Sequence, residues 1–329
     1  MGRRRPFRYV NSRGKRITDP EKIARIDALA IPPPSREVWI SPRPSAKLQA
    51  TGIDSAGRRQ YLYHERFRAA RDREKFEKLI RFAEGLPALR ATMAEHMDLE
   101  SLEPERVCAV ALGLVNHAWF RVGSERVARK ARTYGITTLT KRHARVRGNR
   151  ITFSFRGKGR AQIRAVVVDD ELSGAVAELL DLPGGPRLLR FRRDGSLCNL
   201  TAERLNDYIG EYLGEEFMAK DFRTWGGTTL AAIALAEQGP VANEADAKRV
   251  VAAAMQRVAE RLGNTPAVVR ESYVSPAVVD QYLRGITIKD FRPRHLRVVS
   301  ARQIGLDPEE EAVLALLRSS QNRRSRRVA

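Results

Sequence analysis

The chain has 329 residues, and its 60 Lys and Arg against 39 Asp and Glu give a formal charge of +21 at pH 7. This length predicts about two or three domains, and a hydrophobic fraction of 43% excludes a wholly disordered chain because it suffices to bury cores. The chain lacks an apolar run of the roughly 18–20 residues that cross a bilayer, and its first residues lack a signal peptide, so we expect neither a membrane protein nor a secreted one.

The residues that build redox, metal and nucleotide sites are sparse. Two cysteines cannot form a disulfide framework, the five histidines lack the paired spacing of metal ligands, and the sequence contains neither a P-loop nor a G-x-G-x-x-G motif. We therefore expect a cytoplasmic protein without a cofactor. The positive charge indicates a polyanionic partner, of which nucleic acid is the commonest.

The N-terminal quarter is the most basic part of the chain. Residues 1–80 hold 20 Lys and Arg against nine Asp and Glu, which is about half of the excess positive charge. The prolines in residues 31–35 disfavour long helices, and residues 37–42 are typical of extended chain. Strands and loops are therefore predicted here.

A turn and a strand follow in the same region. The Asp-Ser-Ala-Gly sequence of residues 54–57 predicts a turn. It opens a strand in which Tyr61 and Tyr63 alternate with Leu62. The two tyrosines are either buried aromatics of that strand or surface residues that contact a partner.

From Glu65 onwards the apolar residues recur at helical spacing, and Leu86 and Pro87 are predicted to end this helix. We place the domain boundary within residues 80–87. This divides the chain into a small β-rich domain, residues 1–82, and a larger, mostly helical domain, residues 83–329. The predicted fold class is therefore α+β.

The larger domain is predicted to contain one apolar helix, residues 107–120, and a small antiparallel sheet. Residues 151–156 and 162–167 alternate in hydrophobicity on either side of residues 157–160, which predicts a β-hairpin with Lys158 at its tip. A lysine between two glycines is ordinarily a solvated turn residue. The alternative is a cation that the flanking glycines bring close to a phosphate.

Two arginines have equally simple structural explanations. Arg121 follows the apolar helix, where the helix dipole favours a cation. Arg223 has Asp221 as a candidate ion-pair partner and Trp225 as a candidate stacking partner. Neither position on its own indicates a function.

Tyr273 is predicted to lie at the junction of two short helices. A helix over about residues 247–262 ends at Gly263, a favourable C-terminal residue. Thr265 followed by proline, and Ser275 followed by proline, each predict the start of a new helix. A tyrosine at such a corner is more often a packing residue than a nucleophile.

The C-terminal tail, residues 318–329, contains five arginines and no acidic residue. Its composition predicts a frayed basic extension of the larger domain.

Five segments in a fixed order along the chain carry a specific pattern. They are residues 54–63 with residues 71–76, residues 121–123 with residues 133–139 and His143, residues 155–158, residues 220–224, and residues 263–273. In this order they resemble the motifs of the type IB DNA topoisomerases, in the compact form found in bacteria and poxviruses. The resemblance covers most of the chain, apart from the extreme N-terminus and the segment after about residue 290.

The resemblance implies an isomerase that relaxes positive and negative supercoils without ATP or metal, through single-strand cleavage, strand rotation and religation. Tyr273 would be the nucleophile that forms a 3′-phosphotyrosyl intermediate, and Lys158 would be the general acid. Arg121 and Arg223 would hold the phosphate oxygens. Asn264 would donate a hydrogen bond to the phosphate, at a position where poxviral and eukaryotic members have histidine.

The implied partner is double-stranded DNA, bound by a monomer that closes on the duplex as a clamp. The implied location is the bacterial nucleoid, without a membrane contact. The residues implied as DNA contacts are Arg58, Gln60, Tyr61, Tyr63, Tyr134 and Arg156.

Two alternatives stay open. A tyrosine recombinase shares the chemistry, but recombinases usually carry His-x-x-Arg where this chain has Lys220 and Arg223, and their N-terminal domains are typically helical. A non-catalytic basic protein that binds DNA or RNA would use every motif structurally. It would bind with a steep salt dependence and form no covalent adduct.

Overall fold

The structure is a computed structural model that describes residues 8–55, 57–291 and 304–328. The chain divides into two compact units, Met1–Phe76 and Glu77–Ala329. This division lies six residues before the boundary between residues 82 and 83 that the sequence predicts. Ala56, in the predicted turn, and Ala329, in the predicted tail, lie outside the described residues.

The described part of the first unit contains a short helix, a three-stranded antiparallel sheet and the first turns of the long helix α2 (Glu65–Met97). Its strands are β1 (Arg36–Ile40), β2 (Leu48–Ile53) and β3 (Arg59–Tyr63), in the spatial order β1-β2-β3. The extended segment and the strand after the turn are thus where the sequence predicts them. Helix α1 (Pro20–Ala28) was not predicted, although Asp19 accepts hydrogen bonds from its first backbone N–H groups and a proline occupies its first position.

The two faces of this sheet differ in exposure. Ala50 is buried on one face. On the other face Trp39, Thr51 and Tyr61 are paired across the three strands, and Tyr61 is 55% exposed. Tyr63 is 37% exposed, and its ring stacks with that of Tyr61 at a centroid distance of 6.4 Å. The alternative of two buried aromatics is therefore wrong.

Helix α2 (Glu65–Met97) continues through Pro87, so the predicted end of this helix is wrong. A proline inside a helix loses one backbone hydrogen bond and typically costs about 3 kcal/mol. Leu86 and Leu89, on either side of the proline, are fully buried. The burial of these side chains offsets the local cost, and the sequence pattern alone does not show it.

The second unit is mostly helical, as predicted. Helix α3 (Pro104–Ala118) is buried along nearly its whole length, from Val107 to Val115, and forms the centre of the core. No helix in the described ranges combines the length and the apolar composition needed to cross a membrane. The other α-helices of the second unit within residues 77–291 are α4 (Glu125–Ala131), α5 (Asp170–Asp181), α6 (Ala202–Leu213), α7 (Ala219–Gln238), α8 (Glu244–Leu262), α9 (Pro266–Ser272) and α10 (Pro276–Tyr282).

The predicted hairpin is part of a three-stranded antiparallel sheet. Strands β5 (Arg150–Arg156) and β6 (Gln162–Val168) form the hairpin, and β4 (Ala144–Arg147), which was not predicted, pairs with β5. The inner face packs on the core, where Phe120 contacts Phe153 and Phe155 at ring-centroid distances of 5.1 and 5.5 Å. A further ribbon consists of β7 (Arg190–Arg193) and β8 (Ser196–Asn199).

The C-terminal tail is helical as far as Val328, so the prediction of a frayed extension is wrong. Helix α11 (Pro308–Val328) includes Arg318, which pairs with Glu84 of α2. Leu314 and Leu317, just before the arginines, are buried. The tail prediction considered residues 318–329 alone, whereas the apolar residues that anchor the helix precede them.

Candidate active site

Four of the predicted site residues converge at the ends of helices in the second unit. Arg121 lies in the segment that follows α3, and Arg223 lies in the first turns of α7. Asn264 lies between α8 and α9, and Tyr273 is the C-terminal cap of α9. Helix ends suit such a site because backbone groups and side chains there are not engaged in the helix.

The chain reverses sharply beside Asn264, as its sequence predicts. Gly263 ends α8 in the left-handed region, with a φ of 60°. The Thr265 side chain then accepts a hydrogen bond from the Val268 N–H, and Pro266 opens α9. Asn264 is thereby held between two helix termini.

The segment that carries Arg121 is held by its backbone. The N–H of Ile136 donates to the Arg121 carbonyl at 2.8 Å. Gly135 packs so closely on this segment that an added Cβ would lie 2.4 Å from the same carbonyl oxygen. Only glycine fits at Gly135, so the segment of residues 133–139 positions Arg121.

Arg223 is 4% exposed and is held by backbone carbonyls. Its Nη1 donates to the Trp119 carbonyl, and its Nη2 donates to the Leu262 carbonyl at 2.8 Å. Asp221, the ion-pair partner that the sequence offered, pairs with Lys78 at 2.7 Å instead. Arg223 is therefore directed towards the ends of α3 and α8.

Asn264 connects the two arginines. Its Oδ1 accepts hydrogen bonds from Arg121 Nη2 at 2.8 Å and from Arg223 Nη2 at 2.7 Å. Arg121 Nη2 also donates to the Gly263 carbonyl at 3.2 Å. Because Oδ1 is the acceptor here, the Nδ2 hydrogens of Asn264 are left for another acceptor.

Two guanidinium groups that share a neutral acceptor create uncompensated positive charge. Burial, and then the nearby charge of Arg121, lower the pKa of Arg223 to about 10, and its Nε has no hydrogen-bond partner among the described residues. Both arginines line one cavity of about 490 Å³, together with Gly157 and Gly263. Within the described ranges neither arginine has a carboxylate partner. Such a cavity favours an anion with several oxygens.

The Tyr273 side chain lies against this positive charge. The Arg223 Cζ is 5.0 Å from the centroid of the Tyr273 ring. Burial raises the pKa of the phenol, but the charge and hydrogen bond of Arg223 and the charges of Arg121 and Lys158 together lower that pKa below its ordinary value. The phenol is therefore easier to ionise than a tyrosine in water.

The backbone of Tyr273 is fixed by α7. An added Cβ at Gly227 would lie 2.6 Å from the Tyr273 carbonyl oxygen, so the helix and the tyrosine are in close contact. The Thr228 hydroxyl donates to the same carbonyl at 3.4 Å and accepts from the Ser275 N–H at 3.1 Å. One helix thus positions both Arg223 and Tyr273.

Lys158 lies at the tip of the hairpin, as predicted. It begins a single 3-10 turn, Lys158–Arg160, and its side chain is exposed. Gly157 is buried, and an added Cβ there would lie 2.8 Å from the Ile163 side chain. Lys158 forms no hydrogen bond with Asn264 in the described structure, but its positive charge helps to lower the pKa of Tyr273.

Four predicted DNA contacts belong to the first unit. Asp54 accepts hydrogen bonds from Arg58 Nε at 2.9 Å and from Gln60 Nε2 at 2.8 Å, so this carboxylate orders both side chains. Tyr61 and Tyr63 are exposed.

The other two predicted contacts, Tyr134 and Arg156, belong to the second unit. The Tyr134 N–H donates to the Arg156 carbonyl at 2.7 Å, and the Arg156 side chain is exposed. The Tyr134 ring packs on that of His143 at 4.5 Å. Burial, and then the charges of Arg142 and Arg187, lower the pKa of His143 to about 4, so this histidine is a neutral packing partner at pH 7.

The sequence did not predict the groups that hold the arginines and the tyrosine. Three are backbone carbonyls, those of Trp119, Leu262 and Gly263, and no side-chain pattern indicates them. Gly226 and Gly227 are a detectable signal, because paired glycines inside a helix often mark a close approach. An added Cβ at Gly226 would lie 2.1 Å from the indole nitrogen of Trp119.

Comparison with known families gives matches over most of the chain. Residues 64–293 match the family described as the catalytic core of eukaryotic DNA topoisomerase I. Residues 6–54 match the N-terminal domain of bacterial DNA topoisomerase IB.

Individual relatives agree with these family matches. The DNA topoisomerase 1B of Acanthamoeba polyphaga mimivirus is 32% identical over 268 residues, which cover 79% of this chain and 80% of the relative. The DNA topoisomerase I of Monkeypox virus and the DNA topoisomerase 1B of Vaccinia virus (strain Copenhagen) are each 21% identical over 71% of this chain and 72% of their own.

Proposed function

The chain belongs to the type IB DNA topoisomerases, isomerases that act on DNA, and we propose from this premise that it relaxes positive and negative supercoils by cutting and rejoining one strand. The observation that carries the proposal is the pair of guanidinium groups joined by Asn264 next to Tyr273. This arrangement combines a binding place for a phosphate with an activated phenol. A tyrosine with a packing role alone would need neither a phosphate-binding place nor an activated phenol beside it.

In the proposed reaction the Tyr273 oxygen attacks a backbone phosphorus, and the bond from phosphorus to the 5′ oxygen breaks. The product is a 3′-phosphotyrosyl link and a free 5′-hydroxyl. A phenol with a pKa near 10 is a weak nucleophile at neutral pH. The lowered pKa of Tyr273 makes loss of its proton easier.

Arg121 and Arg223 hold the non-bridging oxygens of the phosphate in this mechanism, and the Nδ2 of Asn264 donates to the same group. Preorganised cations stabilise the charge that develops in the transition state without rearranging during the reaction. The permanent charge and planar fork of arginine suit this task. Asn264 carries no transferable proton, so its role is hydrogen bonding alone.

Lys158 protonates the departing 5′ oxygen, which is a poor leaving group as an alkoxide. General acid catalysis of this kind contributes on the order of 10²–10⁴-fold. The covalent link conserves the phosphodiester energy, so the free 5′ end rotates and then attacks in reverse. No step in this scheme requires ATP or a metal ion.

DNA binding by a monomeric clamp completes the proposal. Arg58 and Gln60 suit phosphate and base-edge contacts, and the exposed rings of Tyr61 and Tyr63 suit contacts with bases or sugars. Tyr134 and Arg156 are proposed as contacts of the second unit. A DNA substrate supports the proposed location in the bacterial nucleoid.

The deciding experiment is relaxation of a supercoiled plasmid by the full chain in EDTA and without ATP. The parent chain should relax both positive and negative supercoils, and trapping with denaturant should give a protein–DNA covalent adduct. Tyr273→Phe should abolish both results while binding of duplex DNA is retained. Tyr212→Phe, which changes a tyrosine that packs on His96, is the matched control and should stay active.

The outcomes also separate the alternatives. Adduct formation by Tyr273→Phe would refute the assignment of the nucleophile. A recombinase would require a cognate site and more than one protomer, whereas we expect monomeric protein to relax a plasmid without such a site. A non-catalytic DNA-binding protein would bind and form no adduct.

A further inference from the structure

The sheet of strands β4, β5 and β6 has an outer face of which the proposed function above uses only Arg156. On β5, Thr152 and Ser154 alternate with the buried Ile151, Phe153 and Phe155 and are exposed. The strand register places the exposed residues of all three strands on this one face. We call it the arginine face, after its five exposed arginines: Arg145, Arg147, Arg150, Arg156 and Arg164.

The charge of the arginine face is of one sign and is not neutralised. Residues 144–147, 150–156 and 162–168 contain no Asp or Glu. None of the five arginines forms an ion pair with the residues that the structure describes. A solvated protein surface ordinarily mixes both signs, because like charges on neighbouring strands repel one another. This unbalanced face indicates an anionic partner.

The arginine face is continuous with the candidate active site. Gln162 and Arg164, which belong to the face, line the same cavity as Arg121 and Arg223. At its end nearest the hairpin tip the face reaches Lys158. Between the cavity and the remote arginines the face carries the uncharged residues Thr152, Ser154 and Val166 and no acidic residue, so a polyanion that leaves the cavity meets no negative charge on this sheet.

The dimensions of the face fit a duplex. From Arg150 to Arg156, β5 covers six residue steps of about 3.3 Å, or about 20 Å in all. Duplex DNA advances about 3.4 Å per base pair, so this length corresponds to about six base pairs. The guanidinium group suits phosphate oxygens, and contacts with phosphates carry no sequence information.

We propose that the arginine face binds the phosphate backbone of the duplex that flanks the cleavage site, and so lengthens the contacted DNA by about six base pairs. The proposal rests on the proposed function and adds to it a second contact surface. The arginines of β4 and of the start of β5 act on affinity and not on chemistry, because they lie far along the strands from Lys158.

The test uses three arginines at the end of the face remote from the tip. The variant Arg145→Gln/Arg147→Gln/Arg150→Gln leaves Arg156 and Arg164 in place. Binding is measured at several salt concentrations, in the Tyr273→Phe background, with a duplex that ends close to the cleavage site and with one extended by about a dozen base pairs on each side.

On the long duplex, the slope of log affinity against log salt should fall by about 0.9 for each phosphate contact removed, hence by about two to three for the triple variant. On the short duplex the variant and the parent should bind alike. With Tyr273 restored, cleavage at saturating DNA should match the parent rate. The control variant Arg192→Gln/Arg193→Gln/Arg284→Gln removes the same charge from exposed arginines elsewhere and should keep the parent slope.

Three results would overturn the proposal. The first is an unchanged salt slope in the triple variant, and the second is an equal loss in the control variant, which would make the effect one of net charge alone. The third is a defect seen only when a second, unlinked duplex is added, which would assign the face to a crossing DNA segment. Because binding does not need cleavage, failure of the proposed chemistry would show separately as a missing covalent adduct.

Discussion

Replacing Asn264 with aspartate tests the electrostatic role of the site more sharply than deleting the side chain. Asn264 Oδ1 lies 2.8 Å from Arg121 Nη2 and 2.7 Å from Arg223 Nη2. Asn264→Asp keeps the size of the side chain and an acceptor for both arginines. It adds a negative charge where the proposal requires a net positive field.

The magnitude follows from Coulomb's law. Two unit charges about 4 Å apart interact with about 4 kcal/mol at the effective dielectric constant of about 20 that suits such sites. A carboxylate that competes with the phosphate for both arginines should therefore slow cleavage on the order of 10²–10³-fold, since about 1.4 kcal/mol corresponds to a factor of ten. Asn264→Ala removes hydrogen bonds without adding charge and should cost only on the order of tenfold.

The assay is single-turnover cleavage of a duplex under saturating protein, followed as covalent adduct over a range of pH. The charges of the two arginines help to lower the pKa of Tyr273. A carboxylate beside them raises that pKa again, so the rate of Asn264→Asp should reach its half-maximum at a higher pH than that of the parent. If Asn264→Asp cleaves as fast as Asn264→Ala, the electrostatic reasoning is wrong.

Two further predictions concern the helices that support the site. Glu310→Gln removes the carboxylate that pairs with Arg90 of α2 and should lower the free energy of unfolding by about 3–5 kcal/mol in denaturant melts. The control Glu311→Gln, at an exposed position, should change that free energy by less than about 0.5 kcal/mol. Equal melts for the two variants would contradict the importance of the ion pair. Gly227→Ala would place a Cβ 2.6 Å from the Tyr273 carbonyl oxygen and should slow cleavage on the order of 10²-fold with little loss of DNA binding. The control Gly174→Ala, where an added Cβ meets open space, should cleave at the parent rate. Parent-like cleavage by Gly227→Ala would mean that α7 does not position the tyrosine.

Local elements of the second unit were predicted well where short-range chemistry decides them. The end of α8 at Gly263 and the start of α9 at Thr265 and Pro266 depend on caps that act over a few residues. The hairpin that carries Lys158 follows from strict alternation on both of its strands. These features would be recognisable in an isolated stretch of about 20 residues.

The two wrong helix predictions concern places where long-range packing decides the structure. Pro87 does not end α2, because Leu86 and Leu89 are fully buried against the rest of the unit. The arginine-rich tail is helical, because buried leucines ahead of it anchor α11. In both cases a local rule was overruled by tertiary packing that a short window of sequence does not contain.

By itself, the sequence determined the family resemblance, the mixed fold class and the identity of the candidate site residues, because their types and order are legible along the chain. Only the tertiary structure decided how these residues are arranged. Arg121 and Arg223 are more than 100 residues apart, and they meet at Asn264 because the ends of α3 and α8 lie beside the first turns of α7. Which helix ends converge depends on the total apolar surface that the whole unit buries, and a local sequence pattern does not contain that total.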